Sequence, residues 1–134
     1  MSDLVARLTA WQPRMLAVLR IVAGLLFLEH GTIKLLDFPH GAPPGPQHPM
    51  TLLWFAGVIE LVAGALVTLG LFTRVAAFIA SGEMAVAYWT VHAKQGFFPA
   101  ANMGEAAVLF CFIFLYLVFA GAGDWSVDGM RRRG

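Results

Sequence analysis

Four glutamates lie within or at the end of four different apolar stretches of this chain. They are Glu29, Glu60, Glu83 and Glu105. A charged group at the centre of a membrane helix raises the free energy of insertion by roughly 2.5–3.5 kcal/mol. Such residues usually face the interior of a helix bundle, where they bind a polar ligand, relay protons or pair with cations. The first two roles are chemical and the third is structural, and the spacing of the glutamates leaves all three open.

Further polar and aromatic residues are expected near the glutamates, and together they predict a ligand-binding pocket. These additional residues are His30, Lys34, Trp54, Tyr88, His92 and Asn102. Glu60 and Glu83 are expected at similar depth on adjacent antiparallel helices, so we predict them as the central pair. No catalytic residue is assigned. Di-metal helix bundles use Glu-x-x-His on two helices, and this sequence lacks that spacing, so we predict no metal site.

The composition is typical of an integral membrane protein. Of 134 residues, 59% are hydrophobic and 13% charged, and the mean hydropathy is +0.73, whereas about a quarter of the residues of a soluble domain are charged. The net charge of +1 gives no indication of nucleic-acid binding. The single cysteine, Cys111, excludes an intramolecular disulfide and a cysteine-based metal cage.

Four segments are long enough to cross about 30 Å of hydrocarbon. They cover residues 14–36, 50–69, 73–92 and 103–122. Five prolines in residues 37–49 exclude a helix between the first two segments. Gly70 and Thr73 suit the C-cap and N-cap of a tight helical hairpin, and Asn102 suits the N-cap of the last helix. We therefore predict an all-α single domain over residues 1–134, an up-down-up-down four-helix bundle in a membrane.

The distribution of basic residues predicts the orientation, because cytoplasmic loops are rich in Lys and Arg. One end of the predicted bundle holds Arg7, Arg14, Arg74 and the run Arg131, Arg132 and Arg133. Lys34 and Lys94 fall at the other end. Both termini are then cytoplasmic, and the polar pocket opens on the extracytoplasmic side. The inner half is almost wholly apolar apart from Arg20.

The sequence resembles the DoxX family, a group of small bacterial membrane proteins with four transmembrane helices. The resemblance rests on LRIVAGLLFLEHGTIKLL, IELVAGALVTLGLFTRVAAF, AYWTVHAKQGFFPAANMGEAAVLF and GAGDWSVD, which occur in the family order. It covers nearly the whole chain. The positions that match family motifs are His30, Gly31, Lys34, Glu60, Arg74, His92, Asn102 and Glu105.

The resemblance implies a redox-linked subunit of the bacterial inner membrane, since better-known relatives are linked to respiratory and sulfur redox. One is the small membrane subunit of a thiosulfate:quinone oxidoreductase. The implied ligand is a quinone, with no intrinsic cofactor, and the chain is at most one subunit of an oxidoreductase complex. We expect membrane lipids, a redox protein and further copies of the chain as partners. A non-enzymatic assembly subunit, in which Lys34 pairs with Glu29 or Glu60 and Lys94 pairs with Glu105, remains as an alternative. A small transporter or proton pathway is another.

Overall fold

Residues 2–133, which the computed structural model describes, form α-helices and contain no strand. The helices are α1 (Ser2–Ala10), α2 (Gln12–Leu36), α3 (Leu52–Leu69), α4 (Thr73–Ala87), α5 (Pro99–Asn102), α6 (Glu105–Ala120) and α7 (Val127–Arg133). A π-helical turn, Tyr88–His92, and a 3-10 turn, Ala93–Gln95, continue α4. The prediction of an all-α fold is confirmed.

Each of the four predicted segments contains one long helix, namely α2, α3, α4 or α6. Within residues 2–133, α2 and α3 are long and apolar enough to cross a membrane, and α6 is a shorter apolar helix. The short helices α1, α5 and α7 were not predicted. They flank the long helices rather than lengthen them, because irregular backbone separates α5 from α6 at Met103 and α6 from α7 after Ala120.

The long helices pack in a closed order, with α2 against α3, α3 against α4, α4 against α6, and α6 against α2. The core between them is apolar, and the Phe27 and Phe114 rings meet edge to face with centroids 4.8 Å apart. The outer faces are also apolar, with Leu25, Phe78 and Phe119 among many large exposed side chains. Exposed apolar surface on this scale is unusual for a soluble monomer and suits contact with lipid.

Helices α2 and α3 approach each other so closely that their backbones touch at glycines. A Cβ atom on Gly31 would lie 2.6 Å from the Leu61 nitrogen, and one on Gly64 would lie 2.7 Å from the Leu28 nitrogen. Both distances are shorter than real Cβ contacts, so neither position has room for a side chain. Small residues allow this kind of backbone contact in membranes. The two helices are therefore held at a fixed, short distance.

Arg20 holds the chain that follows α6 against the start of α2. Its side chain is fully buried and donates hydrogen bonds to the carbonyl oxygens of Ala122, Asp124 (3.1 Å) and Trp125 (2.7 Å). Carbonyl groups after a helix have no partners within it and need donors from elsewhere. Arg20 thus has a structural role.

The turn between α3 and α4 is closed by Asp128 of α7. Gly70 is the left-handed C-cap of α3, as predicted. The N-cap prediction for Thr73 was wrong, because Thr73 is already helical. The Asp128 carboxylate instead accepts hydrogen bonds from Phe72 N–H (2.9 Å), Thr73 N–H (3.0 Å) and the Thr73 hydroxyl (2.8 Å). Partial burial alone would raise the pKa of Asp128, but these bonds and Arg131 lower it below the ordinary value of 3.8.

Substituting Gly64 tests the close contact of α2 and α3. We expect Gly64→Ala to reduce the free energy of unfolding by about 1–3 kcal/mol, because the new methyl group overpacks against the backbone of α2. Gly82→Ala is the matched control, since a Cβ there meets nothing within 4 Å. Unfolding of both variants in detergent would be followed by circular dichroism. Equal stability of the two variants would contradict the proposed packing constraint.

Asp128→Ala tests the closure of the turn. We expect a loss of about 0.5–2 kcal/mol at neutral pH, the usual effect of removing a helix N-cap. A carboxyl group whose pKa is lower in the folded than in the unfolded protein stabilises the fold at pH values above its unfolded-state pKa. This stabilisation is lost as the pH falls through the folded-state pKa. The difference in the free energy of unfolding between wild type and Asp128→Ala should therefore disappear only below pH 3.8. Asp124→Ala is the control, because the Asp124 carboxylate makes no hydrogen bond to any described residue. A gap that persists unchanged at the lowest pH would contradict the assignment.

Candidate functional site

A buried ion pair joins α2 to α3. Lys34 Nζ donates to Glu60 Oε1 at 2.8 Å and to Glu60 Oε2 at 2.6 Å, and the two residues are 7% and 2% exposed. Helical side chains tilt toward the N-terminus of their own helix, so in this antiparallel pair the two groups extend toward each other. The lysine Cβ lies where a side chain on Gly57 would be. The missing side chain at Gly57 therefore lets the ammonium reach Glu60, one turn further along α3.

A second carboxyl group, that of Glu83 on α4, lies beside the pair. It is close to the Glu60 carboxyl and within electrostatic range of Lys34. Glu83 Oε2 is buried and has no hydrogen-bond partner among residues 2–133. The cluster of Lys34, Glu60 and Glu83, called the carboxyl cluster below, thus contains two acids and one base. A buried polar atom without a partner is rare in folded proteins and needs an explanation.

His30 lies at the edge of the carboxyl cluster, one turn before Lys34 on α2. It is half-buried, within electrostatic range of Glu60 and Lys34, and its ring meets that of Phe110 edge to face at 5.8 Å. It makes no side-chain hydrogen bond to any described residue. Its imidazole therefore remains available to a ligand or a proton. The neighbouring Glu29 is exposed and lies on a different face of α2.

Tyr88, His92 and Asn102 form a separate hydrogen-bonded group near the same end of the molecule. The Tyr88 hydroxyl donates to the Phe97 carbonyl at 2.5 Å and accepts from Asn102 Nδ2 at 3.2 Å. Asn102 Nδ2 also donates to the Gly96 carbonyl at 2.8 Å, and His92 Nδ1 lies 3.2 Å from the Asn102 carbonyl oxygen. These bonds tie the π-helical turn to the loop before α6, so this group has a structural explanation.

The two remaining predicted residues, Trp54 and Glu105, lie outside both groups, and Asn102 has a role other than the predicted one. Asn102 does not cap α6 as predicted, because its Oδ1 accepts from Gly104 N–H at 2.8 Å and the helix begins at Glu105. Glu105 is exposed in the first turn of α6, where a negative charge complements the helix dipole. Trp54 is half-buried and packs edge to face on Phe55. The structure thus brings together Lys34, Glu60 and Glu83 and places the other two glutamates elsewhere.

Sequence reasoning missed the polar architecture at the opposite end of the molecule. A cavity there has a volume of about 870 Å³ and is lined by Thr73, Arg74, Gly121 and Asp128, among others. Asp128, which lines this cavity, caps α4. Within residues 2–133, no three His, Cys, Asp or Glu side chains are grouped as metal ligands.

Comparison with known sequences defines the class of this membrane protein. The sequence profile described as DoxX matches residues 15–93, which include Lys34, Glu60, Glu83, Tyr88 and His92. This match covers more than half of the chain. The chain therefore belongs to the DoxX family.

Two curated proteins are similar to this chain over most of its length. A protein of Haemophilus influenzae, described as uncharacterized, is 50% identical over 127 residues, which cover 90% of this chain and 93% of the relative. A protein of Mycobacterium tuberculosis, described as an uncharacterized membrane protein, is 31% identical over 132 residues, which cover 87% of this chain and 80% of the relative. No solved structure gives a significant match.

A double-mutant cycle tests the ion pair. Lys34→Met leaves two buried carboxyl groups without their cation, and we expect a loss of about 3–5 kcal/mol in the free energy of unfolding. Glu60→Gln should also destabilise, but less, because Glu83 is close enough to become the new partner of Lys34. The double variant should lose less than the sum of the single losses, because the paired charges disappear together.

Glu105→Gln is the control for the cycle. It removes the same charge from an exposed position, where substitutions usually change stability by less than about 0.5 kcal/mol. Unfolding in detergent, followed by intrinsic fluorescence, gives all the required values. Additive effects of Lys34→Met and Glu60→Gln would show that the two side chains do not interact energetically.

Proposed function

We propose that this DoxX-family protein is a redox-linked subunit of the bacterial inner membrane whose carboxyl cluster exchanges protons with a quinone or a similar small molecule. The observation that supports this proposal is the buried Glu83 oxygen without a hydrogen-bond partner. The Lys34–Glu60 pair is complete without Glu83. A third ionisable group beside a complete pair has the capacity to take up or release a proton.

Charge balance supports proton binding at the cluster. With both carboxyl groups ionised, Glu60 and Glu83 carry two negative charges, whereas Lys34 carries one positive charge. Two carboxylates that share a poorly solvated site repel each other, which favours one bound proton. A bound proton also makes the cluster neutral, and neutral groups are desolvated at a lower free-energy cost than charged ones.

The proposed chemistry follows from these groups. Reduction of a quinone to a hydroquinone takes up two electrons and two protons. Glu83 donates the proton bound by the cluster, and His30, at the cluster edge, passes on the second proton from the aqueous side. The electrons come from a separate redox protein, since the sequence has no dinucleotide or flavin motif and no dithiol pair. Apolar surface between helices suits the prenyl tail of such a ligand.

The proposed topology places this chemistry in the outer half of a four-helix bundle made of α2, α3, α4 and α6. Arg14 and Arg74 lie near the ends of helices at one side, and the arginines of α7 follow α6 on that side. The positive-inside rule makes that side cytoplasmic, with both termini. Lys34 lies near the opposite end of α2, so the carboxyl cluster is nearer the extracytoplasmic surface.

An assembly subunit without chemistry is the second candidate, and the complete Lys34–Glu60 pair favours it. In that case the cluster only joins α2 to α3. A proton pathway across the whole membrane has less support, because Arg20 is bound to three backbone carbonyl groups and cannot accept a proton.

Glu83→Gln tests the proposed function, with Glu29→Gln as the matched control. Both remove one carboxylate, but Glu29 is exposed and outside the cluster. We expect Glu83→Gln to fold and insert normally, because it relieves repulsion with Glu60. Infrared difference spectra over a pH titration should show a protonated-carboxyl band in wild type and Glu29→Gln that is absent from Glu83→Gln. Equilibrium binding of a short-chain quinol should weaken at least about ten-fold in Glu83→Gln, the effect of losing roughly 1.4 kcal/mol.

Two results would contradict the proposal. Equal quinol binding by wild type, Glu83→Gln and Glu29→Gln would remove Glu83 from any ligand site and favour the assembly subunit. Absence of the carboxyl band in wild type would exclude a proton on the cluster in the pH range tested. Extraction of the protein purified from membranes, followed by mass spectrometry for quinones, is an independent check.

A further inference from the structure

The cavity of about 870 Å³ opens at the end of the molecule opposite the carboxyl cluster. The starts of α2 and α4, the end of α6 and helix α7 surround it. Three arginines, Arg74, Arg131 and Arg132, contribute to its lining, together with Asp124 and Asp128. The Asp128 carboxylate is already bound by the N–H groups at the start of α4. The three arginines outnumber the two aspartates, so the lining of the cavity carries a net positive charge.

Arg74 has one part of its guanidinium bound and another part available. Its Nη1 donates to the carbonyl oxygens of Val118 and Phe119, at 2.7 Å each, and so caps the end of α6. Its Nη2 lies 3.0 Å from where a Cβ of Gly121 would be and donates to no described residue. Gly121 therefore leaves space beside a fixed, unused guanidinium nitrogen. Guanidinium groups are well suited to bind phosphate oxygens.

The same cavity has an apolar side. Leu16 of α2, Val75 of α4 and Tyr116 of α6 contribute to its lining. Val75 and Tyr116 are exposed on the outer faces of their helices, where lipid chains surround a membrane protein. The cavity thus joins a cationic region at the helix ends, the level of lipid head groups, to an apolar wall. A free phosphate ion would leave this wall without an occupant.

We propose that this cavity binds the phosphate of an anionic phospholipid, with Arg74, Arg131 and Arg132 around the head group and an acyl chain along Leu16, Val75 and Tyr116. The bound lipid would connect α7 to the start of α4 and the end of α6. Basic residues near an anionic membrane surface contribute about 1 kcal/mol each to such binding. The site is independent of the proposed redox function, because it shares no residue with the carboxyl cluster.

Lipid binding can be measured by native mass spectrometry of the full-length protein in detergent, titrated with phosphatidylglycerol, phosphatidylcholine or inorganic phosphate. The test variant is Arg131→Gln/Arg132→Gln, since both side chains are exposed and their loss should not prevent folding. The control is Arg7→Gln/Lys94→Gln, which changes the net charge equally but alters no residue of the cavity. We expect wild type and control to retain phosphatidylglycerol in preference to phosphatidylcholine. The test variant should bind phosphatidylglycerol roughly five-fold more weakly for each arginine removed.

Three outcomes would overturn the proposal. Equal retention of phosphatidylglycerol and phosphatidylcholine by wild type would show that the cavity does not select an anionic lipid. Equal weakening in the test and control variants would show an effect of net charge alone. Displacement of phosphatidylglycerol by millimolar inorganic phosphate would identify a site for a free anion rather than for a lipid.

Discussion

The backbone contact between α2 and α3 is the constraint on which the rest of the site depends. Glycines at positions 31 and 64 remove the Cβ atoms that would separate the helices, and Gly57 leaves room for the stem of Lys34. At this separation the lysine ammonium reaches both oxygens of Glu60. A wider separation would leave two buried charges unpaired, which destabilises a protein by several kcal/mol. The ion pair therefore depends on the close contact of the two helices.

The sequence was sufficient to predict the all-helical fold and the class of protein. Long apolar segments, proline-rich interruptions and the hairpin glycine Gly70 are local signals, and local signals are read reliably. It also predicted that Glu60 and Glu83 would be neighbours, from their equal depth on adjacent helices, and the structure places their carboxyl groups side by side. Lys34 was a possible partner of either Glu29 or Glu60, and the sequence alone did not decide between them. Its reach depends on the tilt of helical side chains and on a missing side chain at Gly57.

Polar groups whose partners were not predicted from the sequence are held by contacts between distant parts of the chain. Asp128 caps a helix that begins 55 residues before it, and Arg20 binds a carbonyl 102 residues after it. No periodicity or local motif specifies such pairs. Asn102 is a similar case between near neighbours. Its side-chain amide donates to the Gly96 carbonyl, in the segment after a π-helical turn, and regular helical periodicity does not predict that geometry.

The two ends of the molecule differ in the groups that their buried charges bind, and this difference bears on function. Toward the termini, Arg20 and Asp128 bind backbone groups that would otherwise lack partners, so their presence follows from stability alone. At the carboxyl cluster, Lys34 and Glu60 satisfy each other in the same way. Glu83 is different, because it adds a second buried carboxyl group beside an ion pair that is complete without it. Desolvating such a group lowers stability, and an apolar residue at position 83 would avoid that loss. Stability therefore does not explain Glu83, whereas the exchange of a proton with a ligand would.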